Sequence, residues 1–314
     1  MNYGFSYKGS KNKLAEKIVN LFPPAENFYD LFCGGCAITH RALLVDNWKN
    51  YFANDVDARC TTLFLDAING KYKNENRWIS REDFYKLRDS DGYIAFLWSF
   101  GNNGKNYLYS KEIEPYKKAL HYAICFSDYS FGEKLGLDFS IVDDVKDIHQ
   151  RRLFLQRYLK QTKTGLNTIL KTSIECSEII QNLARLQSLE RLESLERLES
   201  LERLEIFNCS YQQLKIKKDS VIYCDIPYEK TDKYVLEVFN HKDFYIWALE
   251  QKELVFISSY EMPEDFIQIA EFSHRCTLSS KNHKAVAEKV FIPKHQVMLY
   301  QEKMQEEKAK WMHC

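Results

Sequence analysis

The sequence predicts an α/β fold: an open mixed sheet in two halves, separated by a mostly helical insertion. Three observations carry this. Residues 27 to 55 read as strand, glycine turn, helix and strand. Buried-strand patterns return only near Ser220 and Leu254, and the stretch from about 60 to 185 between them holds a turn-rich aromatic loop, Trp98 to Leu108, and then a long, polar, mostly helical run. An interruption of that size reads as a separate lobe, because structureless loops of such length are rare inside a compact domain.

Taken in order, Lys8-Gly-Ser-Lys-Asn-Lys13 leads into the amphipathic Leu14-Ala-Glu-Lys-Ile-Val-Asn-Leu21, a helix with a basic entrance. Asn27-Phe-Tyr-Asp-Leu-Phe-Cys33 is a short apolar and aromatic run ended by Gly34-Gly35, and the helix-like Ala37 to Leu44 follows. Asn50-Tyr-Phe-Ala-Asn-Asp55 is the next strand. Ser220 to Asp225 and Leu254 to Ser259 resume the sheet, with Lys289 to Pro293 and Gln296-Val-Met-Leu-Tyr300 expected as late antiparallel strands. The expected organisation is a core of residues 1–59 and 206–300, an inserted lobe over 60–187, a linker over 188–205 and a charged tail over 301–314.

The linker is three exact copies of Ser-Leu-Glu-Arg-Leu-Glu. Its residues favour helix, and pairs such as Glu193 with Arg197 stand at i,i+4. A leucine spacing of three on a 3.6-residue helix turns the stripe by about 60° per step, so a heptad seam does not form. A solvated linker is the better reading than an oligomerisation zipper.

Lys+Arg 44 against Asp+Glu 44 leaves no net charge, so a nucleic-acid partner would have to meet a local basic surface. No basic-then-apolar leader opens the chain and no stretch reaches the roughly 18 apolar residues of a membrane helix, so a cytoplasmic place and no membrane partner are expected. Nine cysteines in a chain this long fit free thiols in a reducing compartment. Cys33-Gly-Gly-Cys36 is a C-x-x-C, yet no second such pair completes a zinc site, and no metal is expected.

Ligands of open α/β sheets sit outside the carboxyl ends of the strands, so the ends at Asp30 and Asp225 can face one cleft. Gly34-Gly35 lets the backbone approach a ligand closely, and an acid ending the next strand, Asp55, can accept from two ribose hydroxyls. The glycines do not form G-x-G-x-x-G, which weakens a nucleotide-phosphate reading.

Tyr7-Lys-Gly-Ser-Lys11, Asp30-Leu-Phe-Cys-Gly-Gly35, Asn54-Asp55, Asp225-Ile-Pro-Tyr228 and Ser258-Ser-Tyr-Glu261 occur in the order and approximate spacing of one family. The chain resembles the Dam-type (adenine-N6)-specific DNA methyltransferases over both sheet halves. The resemblance implies a Rossmann-like, S-adenosylmethionine-dependent methyltransferase sheet with a target-recognition insertion. It implies S-adenosylmethionine contacts from Tyr7, Lys11, Asp55 and Asp225, with Asp30, Phe32, Gly34 and Gly35 forming the cofactor loop. Asp225, Ile226, Pro227 and Tyr228 correspond to the catalytic tetrapeptide, usually Asp-Pro-Pro-Tyr, so Ile226 is a departure that leaves a weakly active or binding-only relative as an alternative.

Adenine N6 is a poor nucleophile. A carboxylate and a backbone carbonyl accepting its two hydrogens stabilise the charge that develops there, and Asp225 and Ile226 can supply them. Pro227 restricts the turn, and Tyr228 offers a face to stack an extruded base.

Double-stranded DNA is the implied partner. Lys146, Arg151, Arg152, Arg157, Lys160, Lys163 and Lys171 form a basic stripe suited to phosphates, with Phe154 and Tyr158 as core anchors. The loop from Phe100 to Lys105 resembles the segment the family places beside the target base, which makes Asn102, Asn103 and Lys105 candidate contacts. A cognate restriction endonuclease is a further partner the resemblance allows, and the oligomeric state is left open. Methylation of RNA or protein on the same fold, and a structural protein built on the repeat, are the rival readings.

Overall fold

The computed structural model describes residues 2–161, 201–228, 239–275 and 285–312. The chain divides into two units, one of Met1–Phe5, Gly9–Ile68 and Leu195–Cys314, the other of Ser6–Lys8 and Asn69–Ser194. Among the described residues the strands are β1 (Asn27–Asp30), β2 (Asn50–Asn54), β3 (Leu204–Phe207), β4 (Ser220–Asp225), β5 (Leu254–Ser259), β6 (Phe266–Arg275) and β7 (Ala285–Pro293). The helices, in chain order, are α1 (Ala15–Val19), α2 (Ala37–Val45), α3 (Ala58–Ile68), α4 (Arg81–Leu87), α5 (Gly92–Leu97), α6 (Glu114–Phe126), α7 (Ser130–Glu133), α8 (Ile148–Gln161), α9 (His241–Glu250) and α10 (Val297–Met312).

The first unit is built on one sheet of order β3-β2-β1-β4-β5-β7-β6. β3, β2, β1, β4 and β5 run parallel, and β7 turns back antiparallel between β5 and β6. β1 and β5 are buried along their whole length, as expected of parallel strands covered on both faces. On one face Phe22, Phe28, Trp48 and Phe256 form an aromatic core. On the other, Tyr29 stacks on Phe52 at 4.3 Å, and Ile222, Val255 and Phe244 join the same cluster.

The chain builds outward from β1 through β2 to β3 and then crosses back to β4 on the other side of β1. The strand order therefore reverses between β1 and β4, the kind of switch point at whose carboxyl ends ligands of open α/β sheets bind. Asp30 pairs in register with Tyr223, which brings the ends at Asp30 and Asp225 side by side. The two segments singled out in the sequence therefore share one corner of the sheet.

Some elements differ from expectation. Gln296 ends a short 3-10 turn and Val297 to Tyr300 opens α10, so this segment does not form a strand. The Gln296 side chain accepts from the Val255 N–H at 2.9 Å and donates to the Gln251 and Glu253 carbonyls, fastening the helix start to the sheet. Strong helix formers follow over Gln301 to Lys310, so most of the expected tail is helical too. β6 was not anticipated. The helix α3 stays with the sheet unit through Ile68, beyond the expected boundary at 59.

Repeat residues 188–200 lie outside the described residues; the end of the third copy, from 201 on, is within them. Leu204 and Glu205 start β3 and pair with Tyr51 and Phe52. Arg203 anchors this entry by donating to the Trp48 carbonyl and pairing with Asp46. That part of the tract is a sheet edge, not a linker.

The second unit is mainly helical, with an aromatic cluster of Trp78, Trp98, Tyr107, Tyr109 and His121. Among the described residues no helix is long and apolar enough to cross a membrane.

Candidate active site

The glycine corner begins where β1 stops at Asp30. The Cys33 N–H bonds to the Asn54 carbonyl at 2.9 Å, and the chain turns through Gly34 (φ 45°) and Cys36 (φ 53°) into α2. The Gly34 N–H donates to Asp55 Oδ2 at 2.8 Å, and Asp55 Oδ1 accepts the Asp57 N–H at 2.9 Å. Asp55 thus ties the end of β2 to the glycine turn. Burial pushes its carboxyl up to about 6 against the pull of these N–H donors.

A second backbone strap closes on the turn. The Phe5 N–H bonds to the Gly35 carbonyl at 2.9 Å, and the Gly4 N–H to His40 Nδ1 at 2.9 Å. Gly4 sits at φ 59°, and a Cβ there would lie 2.0 Å from Gly35 O, so only glycine fits.

Asp30 is buried behind this turn. Its Oδ2 accepts from Thr39 Oγ1 at 2.7 Å and the Thr39 N–H at 3.1 Å, whereas Oδ1 has no hydrogen-bond partner among the described residues. Burial pushes the carboxyl up to about 7; the Thr39 bonds lower it and the nearby Asp225 charge raises it. Phe32 turns its ring into an aromatic group with Tyr211, Phe239 and Phe244. Cys33 and Cys36 are buried with sulfurs 3.5 Å apart; the bond from Cys36, together with burial, pushes the Cys33 thiol up, and burial raises that of Cys36. No group of three or more His, Cys, Asp or Glu suited to a metal ion occurs among the described residues.

The second corner, which holds the tetrapeptide expected to be catalytic, is at the end of β4. Lys11, itself buried, donates from Nζ to Asp225 Oδ1 at 2.7 Å and Oδ2 at 2.8 Å, and to the Tyr228 hydroxyl at 2.7 Å. The Tyr228 hydroxyl in turn donates to Glu288 Oε1 at 2.8 Å, while Glu288 Oε2 lies 3.8 Å from Lys11 Nζ. Burial raises the Asp225 and Glu288 carboxyls, and the Lys11 ammonium opposes it at both. Burial raises the Tyr228 phenol far above its ordinary value, so it stays a donor.

The turn itself is held from both sides. Ile226 is 3% exposed and packs in the core cluster with Tyr211, Phe244 and Ile257. The Pro227 carbonyl is 2.7 Å from His241 Nε2, at the start of α9. Tyr228 lies against Tyr260, ring centroids 4.4 Å apart. The residues expected to form the cofactor and catalytic loops thus occupy neighbouring strand ends of one sheet.

The D12 class N6 adenine-specific DNA methyltransferase model matches residues 7–256. The chain belongs to this family. It is a site-specific DNA methyltransferase acting on N6 of adenine, and its mixed seven-stranded sheet is consistent with the methyltransferase fold of that family. No curated protein matches the chain.

The matched interval of this D12-class chain holds Lys11, Asp30, Asp55, Asp225 and Tyr228. Tyr7 belongs with the second unit, where its ring meets Phe96 at 5.1 Å. In that unit the Phe100 to Lys105 loop is closed by the Ser99–Tyr107 bridge and by the Phe100 N–H to the Asn106 carbonyl. Asn102 spends its amide on the Phe96 carbonyl at 2.7 Å, and Asn103 accepts the Lys105 N–H at 2.8 Å. An exposed apolar ring of the loop was not among the expected contacts: Phe100, 63% exposed.

The basic stripe on α8 is corrected in part. Arg151 is buried and bonds to Val145 O, Ile124 O and Ser127 Oγ, while Arg152 is buried and meets His149 Nδ1 at 3.0 Å. Both guanidiniums are buried, and that of Arg151 donates to three groups inside the fold, so neither is presented at the surface as a phosphate contact needs. Arg157 is exposed, and Lys163 and Lys171 lie outside the described residues. Phe154 is exposed too; Leu155 and Leu159 anchor the helix instead.

Glu288 and His241 were also missed. Glu288 alternates with Val290 and Ile292 on the buried face of β7, and an acid at an apolar position of a period-two pattern is a readable signal.

Proposed function

We propose that this methyltransferase uses S-adenosylmethionine to methylate adenine extruded from duplex DNA, with Asp225, the Ile226 carbonyl and Tyr228 as its catalytic groups. The observation that carries the reading is the adjacency of the β1 and β4 ends, with Lys11 bonded to both Asp225 oxygens.

The donor set fits the cofactor. Asp30 Oδ1 is a buried acceptor with no partner among the described residues, suited to a cationic group such as an amino acid's ammonium. The Gly34-Gly35 turn presents backbone without Cβ, and Asp55 has lone pairs left for ribose hydroxyls after accepting two N–H groups. Val56, beside Asp55 and 58% exposed, offers an apolar surface for a purine ring. Lys11 supplies a cation for a carboxylate. S-adenosylmethionine, when bound, supplies an electrophilic methyl on sulfur.

The protein's own part is placement. The Asp225 carboxylate and the Ile226 carbonyl accept the two N6 hydrogens and turn the nitrogen lone pair outward, stabilising the positive charge that grows there. Burial of Ile226 and the His241 bond to Pro227 hold that carbonyl, which offsets the absence of a proline ring at 226. Tyr228 stacks the base, which leaves the duplex to be reached. Alignment then lowers the remaining barrier.

The second unit carries DNA contacts from Phe100, Asn103, Lys105 and Arg157. A DNA-modifying enzyme of this kind is placed in the cytoplasm. Labelled S-adenosylmethionine with double-stranded DNA, followed by nucleoside analysis, tests the reading. N6-methyladenine, lost in Asp225→Ala, is the expected result; label in cytosine, RNA or protein overturns it.

A further inference from the structure

We infer that Glu288 is a positioning residue for methyl transfer: its buried carboxylate fixes the Tyr228 hydroxyl, and through it the ring against which the target adenine stacks. The inference rests on the reading of Asp225 and Tyr228 given above. Glu288 lies beyond residues 7–256, outside the part of the chain the family model covers.

The position makes no sense as packing. β7 buries Val290 and Ile292 on the same face, and Glu288 itself is only 2% exposed. A carboxylate there is costly unless hydrogen-bonded and paired. Its partners are the Tyr228 O–H at 2.8 Å and the Lys11 ammonium at 3.8 Å, both at the catalytic corner. An apolar residue would satisfy the core better. The acid is therefore explained by what it holds.

What it holds is a ring with two rotatable bonds at the end of a turn. The hydroxyl accepts from Lys11 and donates to Glu288, so its donor and one of its acceptor sites are both engaged. β7 pairs with β5 through Ser259↔Lys289 and Ser258↔Val290, which fixes the Glu288 backbone to the central sheet. The anchor is thus rigid while the turn it steadies is not part of a strand. A ring pre-set for stacking spares the ordering cost at each turnover, and misplacement is paid in rate.

Four proteins test this: wild type, Glu288→Gln, Tyr228→Phe and the double variant, each measured for kcat, KM for DNA, S-adenosylmethionine Kd and melting temperature. Glutamine keeps the volume but replaces a charged acceptor by a weaker one. Glu288→Gln is expected to lower kcat by about ten-fold or more, with cofactor Kd and melting temperature unchanged. In the Tyr228→Phe background, where no hydroxyl remains to hold, the same substitution should cost less than about three-fold. Unchanged kcat in Glu288→Gln overturns the inference, as does an equal loss in both backgrounds or a loss that follows melting temperature. Asp225→Ala in the same assay separates the two levels. If it stays active the catalytic reading fails; if it is dead while Glu288→Gln is fully active, only the role of Glu288 falls.

Discussion

Lys11 and Asp225, separated by 214 positions in the chain, are joined by two hydrogen bonds of 2.7 and 2.8 Å from one ammonium to both carboxylate oxygens. The lysine opposes the upward push that burial exerts on Asp225. Lys11→Met removes this opposition, so Asp225 protonates at higher pH and loses its acceptor role there. The acidic limb of the pH–rate profile is expected to move upward, with activity partly restored at alkaline pH. A limb that stays in place would show that Lys11 does not govern the ionisation of Asp225.

Asp30 gives a second pH dependence. Its folded carboxyl stands at about 7, above the ordinary value near 3.8, so the folded state holds a proton that the unfolded state has released. Stability from this group is therefore greatest at low pH and declines as pH rises from about 4 through about 7. Binding of a cationic ligand favours the ionised form and runs the other way. Cofactor affinity measured by calorimetry should rise between pH 6 and 8, and Asp30→Asn should flatten that rise.

Gly4→Ala places a Cβ 2.0 Å from Gly35 O at a left-handed φ. The cost should exceed about 1 kcal/mol in chemical denaturation. Because the strap and the glycine turn share the Phe5–Gly35 bond, cofactor affinity should fall with it.

Ile226→Ala empties a buried core site, with an expected loss of about 2–5 kcal/mol of stability by denaturant titration. The Ile226 carbonyl, proposed as a catalytic acceptor, loses one of its two anchors as well. A fall in kcat should therefore accompany the loss of stability, measured at a temperature where the variant remains folded.

Phe100→Ala tests the second unit. The ring is 63% exposed, so folding stability should change by less than about 0.5 kcal/mol. DNA affinity by fluorescence anisotropy should drop about ten-fold, the scale of one lost base–aromatic contact.

The sheet's centre was legible because its strands are local in their signal. Asn27 to Asp30, Ser220 to Asp225 and Leu254 to Ser259 each show a short apolar run ended by a turn residue or an acid, and each forms a strand where expected. The placement of Asp30, Asp55 and Asp225 at strand ends follows from the same signal. What escaped was set by tertiary partners. The side chain of Gln296 has backbone groups of the sheet to bond only once β5 exists, so the apolar Val-Met-Leu after it looked like a strand. Arg151 and Arg152 looked like a phosphate-binding face because charge in a sequence carries no sign of the carbonyls or histidine waiting inside the fold. Glu288 broke the apolar alternation of its strand in a readable way, but its hydroxyl partner, 60 positions away, was not legible.

The edge strand supplied by the last copy of the repeat has a genetic consequence. All copies are identical, so an allele that loses or gains one whole copy still delivers the same arginine to Asp46 and the same leucine and glutamate to β2. Length polymorphism in this tract can accumulate without editing the residues that seat the sheet's border.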